Sequence, residues 1–300
     1  MNDLRTLIDA PEILVMPGVF DGFSNRIVEA GGFSAGFITG AGISESRLGQ
    51  PDVGLMGFEE NLNAVRQLVA STSLPLLADA DTGYGNAVNV FHVVQAFERA
   101  GAAGIMIEDQ VWPKRCGHMA GKEVIAAGEM VQKVRAVVDA RRNPNFILMA
   151  RTDAYAPMGI DEAIRRANLY ADAGADLLFA DAVLSADDIA ALAKGVRKPV
   201  CVNMGFGIRT RSTTPLMSPR QLQALGVAVV IWPRLLTAAA IRGMQRALEA
   251  AQETLRSGEP VDRPDLVAGF EELNTLMGFD EFKKMEQRYA LRGVGAGVET

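Results

Sequence analysis

Eight short apolar segments alternate with longer stretches of helical periodicity, and this alternation constrains the fold more than any other feature of the chain. Each segment is four to six residues long, rich in Val, Ile, Leu, Phe or Met, and apolar on successive residues. Such a pattern is typical of strands that are buried on both faces. The predicted strands cover residues 13–16, 35–39, 74–79, 104–108, 146–151, 176–181, 200–204 and 227–232. The clearest helical stretches cover residues 59–70, 87–100, 129–140, 161–173 and 186–194.

Glycine follows several of the helical stretches shortly before the next strand begins, as at Gly32, Gly101, Gly174 and Gly226. Glycine at this place is typical of a left-handed helix end, where a Cβ atom is costly. Strands that alternate with helices pair in parallel through right-handed crossovers. Eight such units predict an α/β fold, a (β/α)₈ TIM-type barrel. The alternative is a doubly wound open sheet, although no glycine-rich fingerprint follows the first strand.

The barrel pattern ends near residue 257, and the rest of the chain does not fit another unit. We therefore predict a catalytic barrel domain over residues 1–257 and a helical extension over residues 258–300. In the extension, residues 258–267 have the composition of a linker, and residues 266–291 that of one or two amphipathic helices. The apolar face of these helices must pack against the barrel or against a neighbouring subunit, and we favour a homo-oligomer.

Composition excludes several classes of protein. Hydrophobic residues make up 49% of the 300 residues and charged ones 22%, which argues against disorder. The net charge of −6 argues against a nucleic-acid or anionic-membrane partner. No apolar run approaches the roughly 18 residues of a membrane span, and the first residues lack a signal-peptide pattern. Only two cysteines, Cys116 and Cys201, are present, so we predict a cytoplasmic location.

Acidic residues end the third and fourth predicted strands, where a barrel carries its chemistry. Asp79 and Asp81 follow one strand and Glu108 ends the next, with Asp52 in an earlier loop. With only two histidines in the chain, a metal must be held mostly by oxygen, which suits Mg²⁺ or Mn²⁺. The alternative is that these carboxylates cap helices or form ion pairs.

Arg151 ends the otherwise apolar fifth strand. It is predicted either to clamp a substrate carboxylate or to pair with Glu108 or Asp153, and both can hold at once. Small residues after the second strand let backbone N–H groups approach an anion. The remaining polar residues at strand ends are Thr39, Asp181 and Asn203.

The segment after the fourth strand, residues 109–127, is polar and glycine-rich, which predicts a loop that closes over the barrel mouth. It contains Lys114, Cys116, Gly117 and His118. A cysteine among basic residues is predicted to have a lowered pKa or to donate its proton readily. The alternative is an inert buried thiol, which is our interpretation of Cys201.

Five motifs together resemble the isocitrate lyase and phosphoenolpyruvate mutase superfamily, over nearly the whole chain. They are LGQPDVG at 48–54, DADTGYG at 79–85, IEDQ at 107–110, PKRCGH at 113–118 and MARTDA at 149–154. The resemblance is strongest to the short-chain branch that includes 2-methylisocitrate lyase and 2,3-dimethylmalate lyase. It implies a (β/α)₈ barrel whose last helix is exchanged between subunits, in dimers that pair into tetramers.

The resemblance also implies roles for individual residues. The shell of a catalytic Mg²⁺ comprises Asp79, Asp81 and Glu108, with Asp52 contributing through water. The backbone of Thr39, Gly40 and Ala41 cradles the 2-oxo-acid half of the substrate, and Arg151 clamps its carboxylate. Asn203 is a further contact to the substrate. Cys116, next to Gly117, protonates the departing carbanion with the assistance of Lys114 and His118.

Three features depart from the 2-methylisocitrate lyase branch. Asp181 stands where that branch has glutamate, and Ala238 where it has arginine. The loop at 204–216 is longer than usual and contains Arg209 and Arg211. These places surround the part of the substrate that varies among members, so we predict an alkyl-substituted malate or a similar 2-hydroxy dicarboxylate.

The predicted activity is therefore Mg²⁺-dependent cleavage of a carbon–carbon bond, which releases a 2-oxo acid (pyruvate or glyoxylate) and a carboxylate. One alternative is another reaction through the same enolate, namely oxaloacetate decarboxylation or hydrolysis, or a carboxyphosphoenolpyruvate phosphonomutase reaction. Arg209 and Arg211 suit a phosphonate or an extra carboxylate, but they equally suit a solvated loop. A further alternative is a barrel that binds a dicarboxylate without turning it over.

Overall fold

A computed structural model of the chain describes residues 3–116, 119, 121–207 and 214–290. Within these residues, eight parallel strands form a closed barrel in which each strand pairs with its neighbours in sequence and the last pairs with the first. The strands are β1 (Leu14–Val19), β2 (Gly36–Ile38), β3 (Leu76–Asp79), β4 (Gly104–Glu108), β5 (Ile147–Thr152), β6 (Leu177–Ala180), β7 (Val200–Asn203) and β8 (Val229–Trp232).

Helices connect the strands along the chain, and further helices precede β1 and follow β8. In chain order they are α1 (Leu4–Ile8), α2 (Gly22–Ala30), α3 (Gly40–Ile43), α4 (Phe58–Ser71), α5 (Ala87–Arg99), α6 (Ala127–Ala140), α7 (Tyr155–Met158), α8 (Ile160–Ala173), α9 (Ala186–Gly195), α10 (Pro219–Ala224), α11 (Leu235–Ser257), α12 (Phe270–Leu276) and α13 (Phe279–Tyr289). A single turn of π-helix covers Ser44–Leu48, directly after α3.

The barrel prediction is confirmed, and the doubly wound alternative is wrong because β1 pairs directly with β8. The first strand continues three residues beyond the predicted end at Met16, through Pro17 and Gly18 to Val19. A Pro-Gly pair is typical of a turn. Here Pro17 lies opposite Trp232 and Gly18 opposite Phe37. Pairing with both neighbouring strands in the closed barrel therefore extends β1 beyond the apolar run that ends at Met16.

The backbone angles confirm the prediction that glycines at the helix ends are left-handed. The φ angles of Gly32, Gly101, Gly174 and Gly226 are 76°, 91°, 112° and 91°. Side chains with a Cβ atom avoid this left-handed region, whereas glycine enters it without steric cost. These residues therefore reverse the chain between a helix and the next strand.

Apolar packing closes one end of the barrel and leaves the other end to polar residues. Inside the barrel, side chains such as Met16, Met149 and Phe179 form a dry cluster. Leu4 and Ile8 of α1 belong to this cluster and cover the end at which the strands begin. Consequently, buried polar side chains concentrate where the strands end, as barrel enzymes require.

The chain divides into two compact units, Met1–Ala240 and Ile241–Thr300, with the boundary inside α11. The second unit contains the rest of α11 together with α12 and α13. Large apolar side chains on these helices are exposed, among them Leu248, Phe270 and Phe282. The predicted division at residue 257, the exchange of a helix between subunits and the homo-oligomer stay predictions. Within the described ranges, no helix is both long enough and apolar enough to cross a bilayer.

Candidate active site

The predicted residues converge on one cavity at the end of the barrel where the strands finish. Asp81 and Glu108 are buried beside this cavity, while Gly117 and His118 lie outside the described residues. The predicted residues that line it are Thr39, Ala41, Asp52, Asp79, Lys114, Cys116, Arg151, Asp181 and Asn203. Residues scattered over more than 160 positions of sequence are thus brought to one mouth by the parallel strands.

Asp79 and Asp81 form the acidic floor of the cavity. The backbone N–H of Asp81 donates to Asp79 Oδ1 at 3.0 Å, and Asp81 takes a left-handed φ of 49°. Burial and then the charge of Asp81 raise the pKa of Asp79 to about 7. Gly40 lies directly against this carboxylate, since a Cβ atom on it would come within 2.9 Å of Asp79 Oδ2. Glycine at position 40 therefore keeps the loop after β2 close to the acidic floor.

Lys114 bridges two of the predicted metal ligands. Its Nζ atom contacts Asp52 Oδ1 and lies 2.8 Å from Asp81 Oδ1, with the lysine side chain only 4% exposed. The two aspartates therefore form ion pairs with Lys114, while their role as metal ligands stays a prediction. The same contacts place a cation of the closing loop directly above the acidic floor.

Arg151 is held by carboxylates on both sides. Its Nε and Nη2 atoms donate to the two oxygens of Asp153, each at 2.8 Å, and Nε also lies 3.2 Å from Glu108 Oε2. Its guanidinium stacks over the ring of Phe179 at 5.4 Å. The predicted pairing with Glu108 and Asp153 is confirmed, whereas the clamp on a substrate carboxylate stays a prediction.

Lys122 is a site residue that the sequence analysis missed. Its Nζ atom lies 2.7 Å from Asp153 Oδ1 and 3.1 Å from Asp181 Oδ2, and the lysine is almost fully buried. Burial opposes the charge of Asp181, but Arg151 and Lys122 outweigh it and the pKa of Asp181 is lowered. A hydrogen bond from Asn203 acts in the same direction. A lysine within a polar loop carries no local signal of such burial, so only the fold reveals it.

Asp109, in the IEDQ motif, supports the end of β5 and does not face the cavity. It accepts hydrogen bonds from Thr152 Oγ1 and the Asp153 backbone N–H, both at 2.8 Å. It also accepts hydrogen bonds from two side chains of α8, from Tyr170 Oη at 2.6 Å and from Arg166 Nη1 at 3.0 Å. Because Asp153 in turn holds Arg151, this network determines the position of the guanidinium at the cavity.

Cys116 lies at the cavity, but one of its two predicted properties is wrong. Its backbone N–H donates to the Asp52 carbonyl at 3.1 Å. Burial and then the negative charge of Asp52 raise the pKa of the thiol to about 11. The basic neighbours do not offset these effects, so the pKa is not lowered. The thiol keeps its proton at neutral pH, as the second predicted property, proton donation, requires.

Backbone hydrogen bonds close the base of the loop that carries Lys114 and Cys116. Gln110 and Val124 form an antiparallel bridge. The Val111 N–H donates to the Glu123 carbonyl at 2.9 Å, and Ile125 N–H to the Asp109 carbonyl at 2.9 Å. These hydrogen bonds join the two ends of the loop next to the end of β4.

The charges of the cavity leave room for a further cation. Six buried carboxylates share this region with three buried cations, and burial raises the pKa of Glu108 as it does that of Asp79. The carboxylates are Asp52, Asp79, Asp81, Glu108, Asp153 and Asp181, and the cations are Lys114, Lys122 and Arg151. In the part of the chain that the structure describes, no three acidic, histidine or cysteine side chains form a ready metal cage. An all-oxygen set with an excess of negative charge nevertheless fits Mg²⁺, which is held by one or two carboxylates together with water and substrate.

A closed (β/α)₈ barrel with buried carboxylates, a guanidinium and a thiol where its strands end belongs to the class of barrel enzymes. The comparisons with known proteins define this class further. The chain matches the phosphoenolpyruvate phosphomutase family over residues 4–252 and belongs to that family. The resemblance drawn from the five motifs is thereby confirmed.

Individual relatives cover nearly all of the chain. It is 38% identical over 288 residues to the 2,3-dimethylmalate lyase of Eubacterium barkeri, covering 96% of this chain and 97% of that protein. The structure of an oxaloacetate acetylhydrolase in complex with 3,3-difluorooxalacetate superimposes with a TM-score of 0.87 at 31% identity, covering 95% of each chain. A phosphonopyruvate hydrolase in complex with oxalate and Mg²⁺ gives a TM-score of 0.84 at 28% identity, covering 95% of this chain and 97% of the other.

Proposed function

We propose that this protein is a Mg²⁺-dependent carbon–carbon lyase that cleaves a 2-hydroxy dicarboxylate into a 2-oxo acid and a carboxylate. The observation that carries the proposal is that a carboxylate-binding guanidinium and a thiol, Arg151 and Cys116, line one cavity with the acidic floor. The similarity to 2,3-dimethylmalate lyase over nearly the whole of both chains supports a lyase that acts on an alkylmalate.

The reaction requires groups that stabilise negative charge on both halves of the substrate. When the hydroxyl on C2 loses its proton, the C2–C3 bond breaks, C2 becomes the carbonyl carbon of the 2-oxo acid, and the electron pair stays on C3. The carboxylate next to C3 delocalises that pair until C3 is protonated. The hydroxyl proton passes to a base of the cavity or to solvent, and the thiol of Cys116 gives a proton to C3. The resulting thiolate then takes up one proton, so that no proton is gained or lost over the whole reaction.

Arg151 binds the carboxylate of the 2-oxo-acid half, with the small residues Thr39, Gly40 and Ala41 beside it and Asn203 as a further contact. A guanidinium fixed by Asp153 and Glu108 needs no reorganisation during the reaction, which is favourable for transition-state stabilisation. The loop that carries Cys116, with Lys114 and His118, closes over the mouth and excludes water.

Asp79, Asp81 and Glu108, with Asp52, would hold Mg²⁺ or Mn²⁺. The bound cation would neutralise the acidic floor and supply positive charge to the oxygen atoms of the 2-oxo acid. The Mg²⁺ and oxalate bound by the related phosphonopyruvate hydrolase support this assignment, since oxalate resembles the enolate of a 2-oxo acid.

A substrate panel tests the proposal directly. The enzyme is assayed with 2,3-dimethylmalate, other alkylmalates, 2-methylisocitrate, isocitrate and oxaloacetate, with Mg²⁺ or with EDTA. Release of the 2-oxo acid is followed by coupling to lactate dehydrogenase. We expect release of pyruvate or glyoxylate from an alkylmalate with Mg²⁺ and its loss with EDTA. If no hydroxy acid is cleaved, the proposed function is wrong.

Hydrolysis or decarboxylation of oxaloacetate is the second candidate, favoured by the similarity to oxaloacetate acetylhydrolase. Hydrolysis begins with the addition of a water molecule to the C2 carbonyl of oxaloacetate, whereas cleavage of a 2-hydroxy acid begins with loss of the hydroxyl proton. Both reactions end with protonation of a carbanion, so the substrate and the products distinguish the two candidates. Turnover of oxaloacetate to oxalate and acetate, without cleavage of any hydroxy acid, identifies the hydrolase, and turnover to pyruvate and CO₂ identifies the decarboxylase. A phosphonomutase instead consumes a phosphonate in the same panel.

The proposal includes an assembly and a location. The apolar side chains exposed on α11 to α13 support a homo-oligomer in which the last barrel helix is exchanged, as dimers that pair into tetramers. The two cysteines are free, which suits the reducing cytoplasm. Gel filtration with light scattering tests the assembly, for which we expect a tetramer.

A further inference from the structure

Arg234 lines the same cavity as Arg151 and Cys116, although nothing in its sequence context marks it as a site residue. It lies between the end of β8 and the start of α11. In the closed order of strands, β8 is three positions away from β5, which carries Arg151. The cavity is therefore lined by two guanidinium groups that come from different sectors of the barrel mouth.

Glu45 holds Arg234 at this place. Arg234 Nη1 donates to Glu45 Oε1 at 2.9 Å, and Glu45 belongs to the π-helical turn Ser44–Leu48. The two side chains are 29% and 27% exposed, so the pair lies at the accessible edge of the cavity and not in its floor. A guanidinium carries five N–H groups in a planar fork, which allows it to bind a second carboxylate while Nη1 remains on Glu45.

Arg234 and the proton donor Cys116 both line this cavity. Burial opposes the charge of Arg234, but Glu45 and then the fields of Cys116 and Asp52 outweigh burial and raise the pKa of the guanidinium. Arg151 is instead surrounded by Glu108, Asp153 and Asp181.

The cleavage reaction requires a cation at this location. The thiol of Cys116 protonates C3, and the carboxylate bonded to C3 delocalises the negative charge in the transition state. A group that binds this carboxylate must lie near the thiol and away from the group that binds the other half. Positive charge that is already in place where negative charge develops is a large contribution to catalysis.

We propose that Arg234 is a specificity-determining residue that binds the carboxylate of the departing fragment, and that Glu45 fixes its guanidinium for this purpose. This inference rests on the proposed function, and it assigns the two carboxylates of the substrate to two different arginines. Arg151 binds the carboxylate that remains on the 2-oxo acid, and Arg234 binds the other one.

A pair of ligands that differ only in the second carboxylate tests the assignment. L-malate and 2-hydroxybutyrate share the 2-hydroxy acid half, and a methyl group replaces the second carboxylate in the latter. Their affinities are measured by calorimetry in the presence of Mg²⁺ for the wild type, Arg234→Met, Arg234→Lys and Glu45→Gln. Oxalate serves as a probe of the other half. Arg47→Met is the control, because Arg47 lies in the same turn but is exposed and pairs with Gln67.

We expect the wild type to bind malate about tenfold or more tightly than 2-hydroxybutyrate, as a hydrogen-bonded charge pair provides. Arg234→Met should abolish this preference, Arg234→Lys should keep part of it, and Glu45→Gln should keep or increase it. Oxalate affinity should change less than about twofold in every variant, and Arg47→Met should match the wild type.

The inference is overturned if Arg234→Met weakens malate and 2-hydroxybutyrate equally, leaves the preference intact, or weakens oxalate to the same extent. A wild type without any preference also overturns it. Failure of the proposed function has a different signature, namely a wild type that cleaves no hydroxy acid in the substrate panel. Thermal unfolding of each variant shows whether a loss of binding reflects a loss of folding.

Discussion

Charged side chains at the barrel mouth already form ion pairs with one another before a substrate binds. Arg151 is chelated by Asp153, and Lys114 bridges Asp52 and Asp81. A substrate carboxylate therefore finds cations whose positions are fixed by their neighbours. Such preorganisation lowers the entropic cost of binding and keeps the reacting groups in place.

Cys116→Ser is the most direct test of a catalytic role at the residue scale. A hydroxyl is a much weaker acid than a thiol, so kcat for cleavage should fall about 100-fold or more, the usual range for loss of a general acid. KM should stay within about threefold, because the cations that bind the substrate are unchanged. Steady-state kinetics measures kcat and KM. The control is Cys201→Ala, which also removes a thiol but lies in β7, away from the cavity. An unchanged kcat in Cys116→Ser rules out the assigned role.

Lys122→Met tests the lysine that the sequence analysis missed. Removal of its ammonium leaves Asp153 and Asp181 with Arg151 alone. We expect the free energy of unfolding to fall by about 3 kcal/mol, as for the loss of one partner from a buried ion pair. Urea denaturation measures it, with the exposed Lys194→Met as control. Equal stability of the two variants contradicts a structural role for Lys122.

At the scale of elements, α8 connects the outside of the barrel to the active site. In its first turn Glu162 pairs with Arg165 and Arg166, and Arg166 reaches on to Asp109. Asp109 then fixes the end of β5. The helix thus does more than cover the sheet, because its buried side chains determine where β5 places Arg151.

Glu162→Gln tests this connection through its dependence on pH. Hydrogen bonds from Arg165 lower the pKa of Glu162 from 4.5 to about 2, so its ionised form stabilises the folded state above the pKa of the unfolded chain. The substitution should cost about 1 kcal/mol near neutral pH, given partial screening by solvent. The difference from wild type should shrink as the pH falls below about 4.5. Urea denaturation between pH 7 and about pH 3 measures it, and the exposed Glu12→Gln should show no such trend.

At the scale of the whole molecule, closure of the barrel concentrates negative charge at one end. Apolar side chains and α1 fill the other end, so the carboxylates have no low-cost position except the mouth. Burial, together with repulsion from neighbouring carboxylates, raises the pKa of Asp79 and Glu108. The folded barrel therefore gains stability from any cation that binds there.

Removal of the metal should lower the stability of the entire barrel. Binding of Mg²⁺ to the folded state alone raises the free energy of unfolding by about 2.7 kcal/mol at 100 times its Kd. Thermal unfolding with Mg²⁺ and with EDTA, at matched ionic strength, measures this difference. Asp79→Asn should raise the Tm of the metal-free protein, because repulsion from Asp81 is removed, and should reduce the gain from Mg²⁺. A Tm that does not respond to Mg²⁺ in the wild type contradicts the metal site.

Local patterns predicted the units of the fold and the location of its chemistry. The strand over Gly104–Glu108 and the helix over Ala87–Arg99 lie within a residue of their predicted bounds, because their hydrophobic periodicity depends on adjacent residues only. Asp79, Glu108 and Arg151 predicted the place of the active site, because a polar residue at the end of an apolar strand is also visible from adjacent residues alone. The predicted first strand ends too early, at Met16, because Pro17 and Gly18 adopt strand geometry only through pairing with β2 and β8.

The sequence by itself determined the eight repeating units, the glycines that reverse the chain, and the residues that a parallel barrel must bring to its open end. Only the tertiary structure decided which of these residues contact each other. Lys122 meets Asp181 across 59 positions of sequence, and Arg234 meets Glu45 across 189. Periodicity is a property of neighbouring residues, whereas the partner of a buried charge depends on how the closed barrel brings distant loops together.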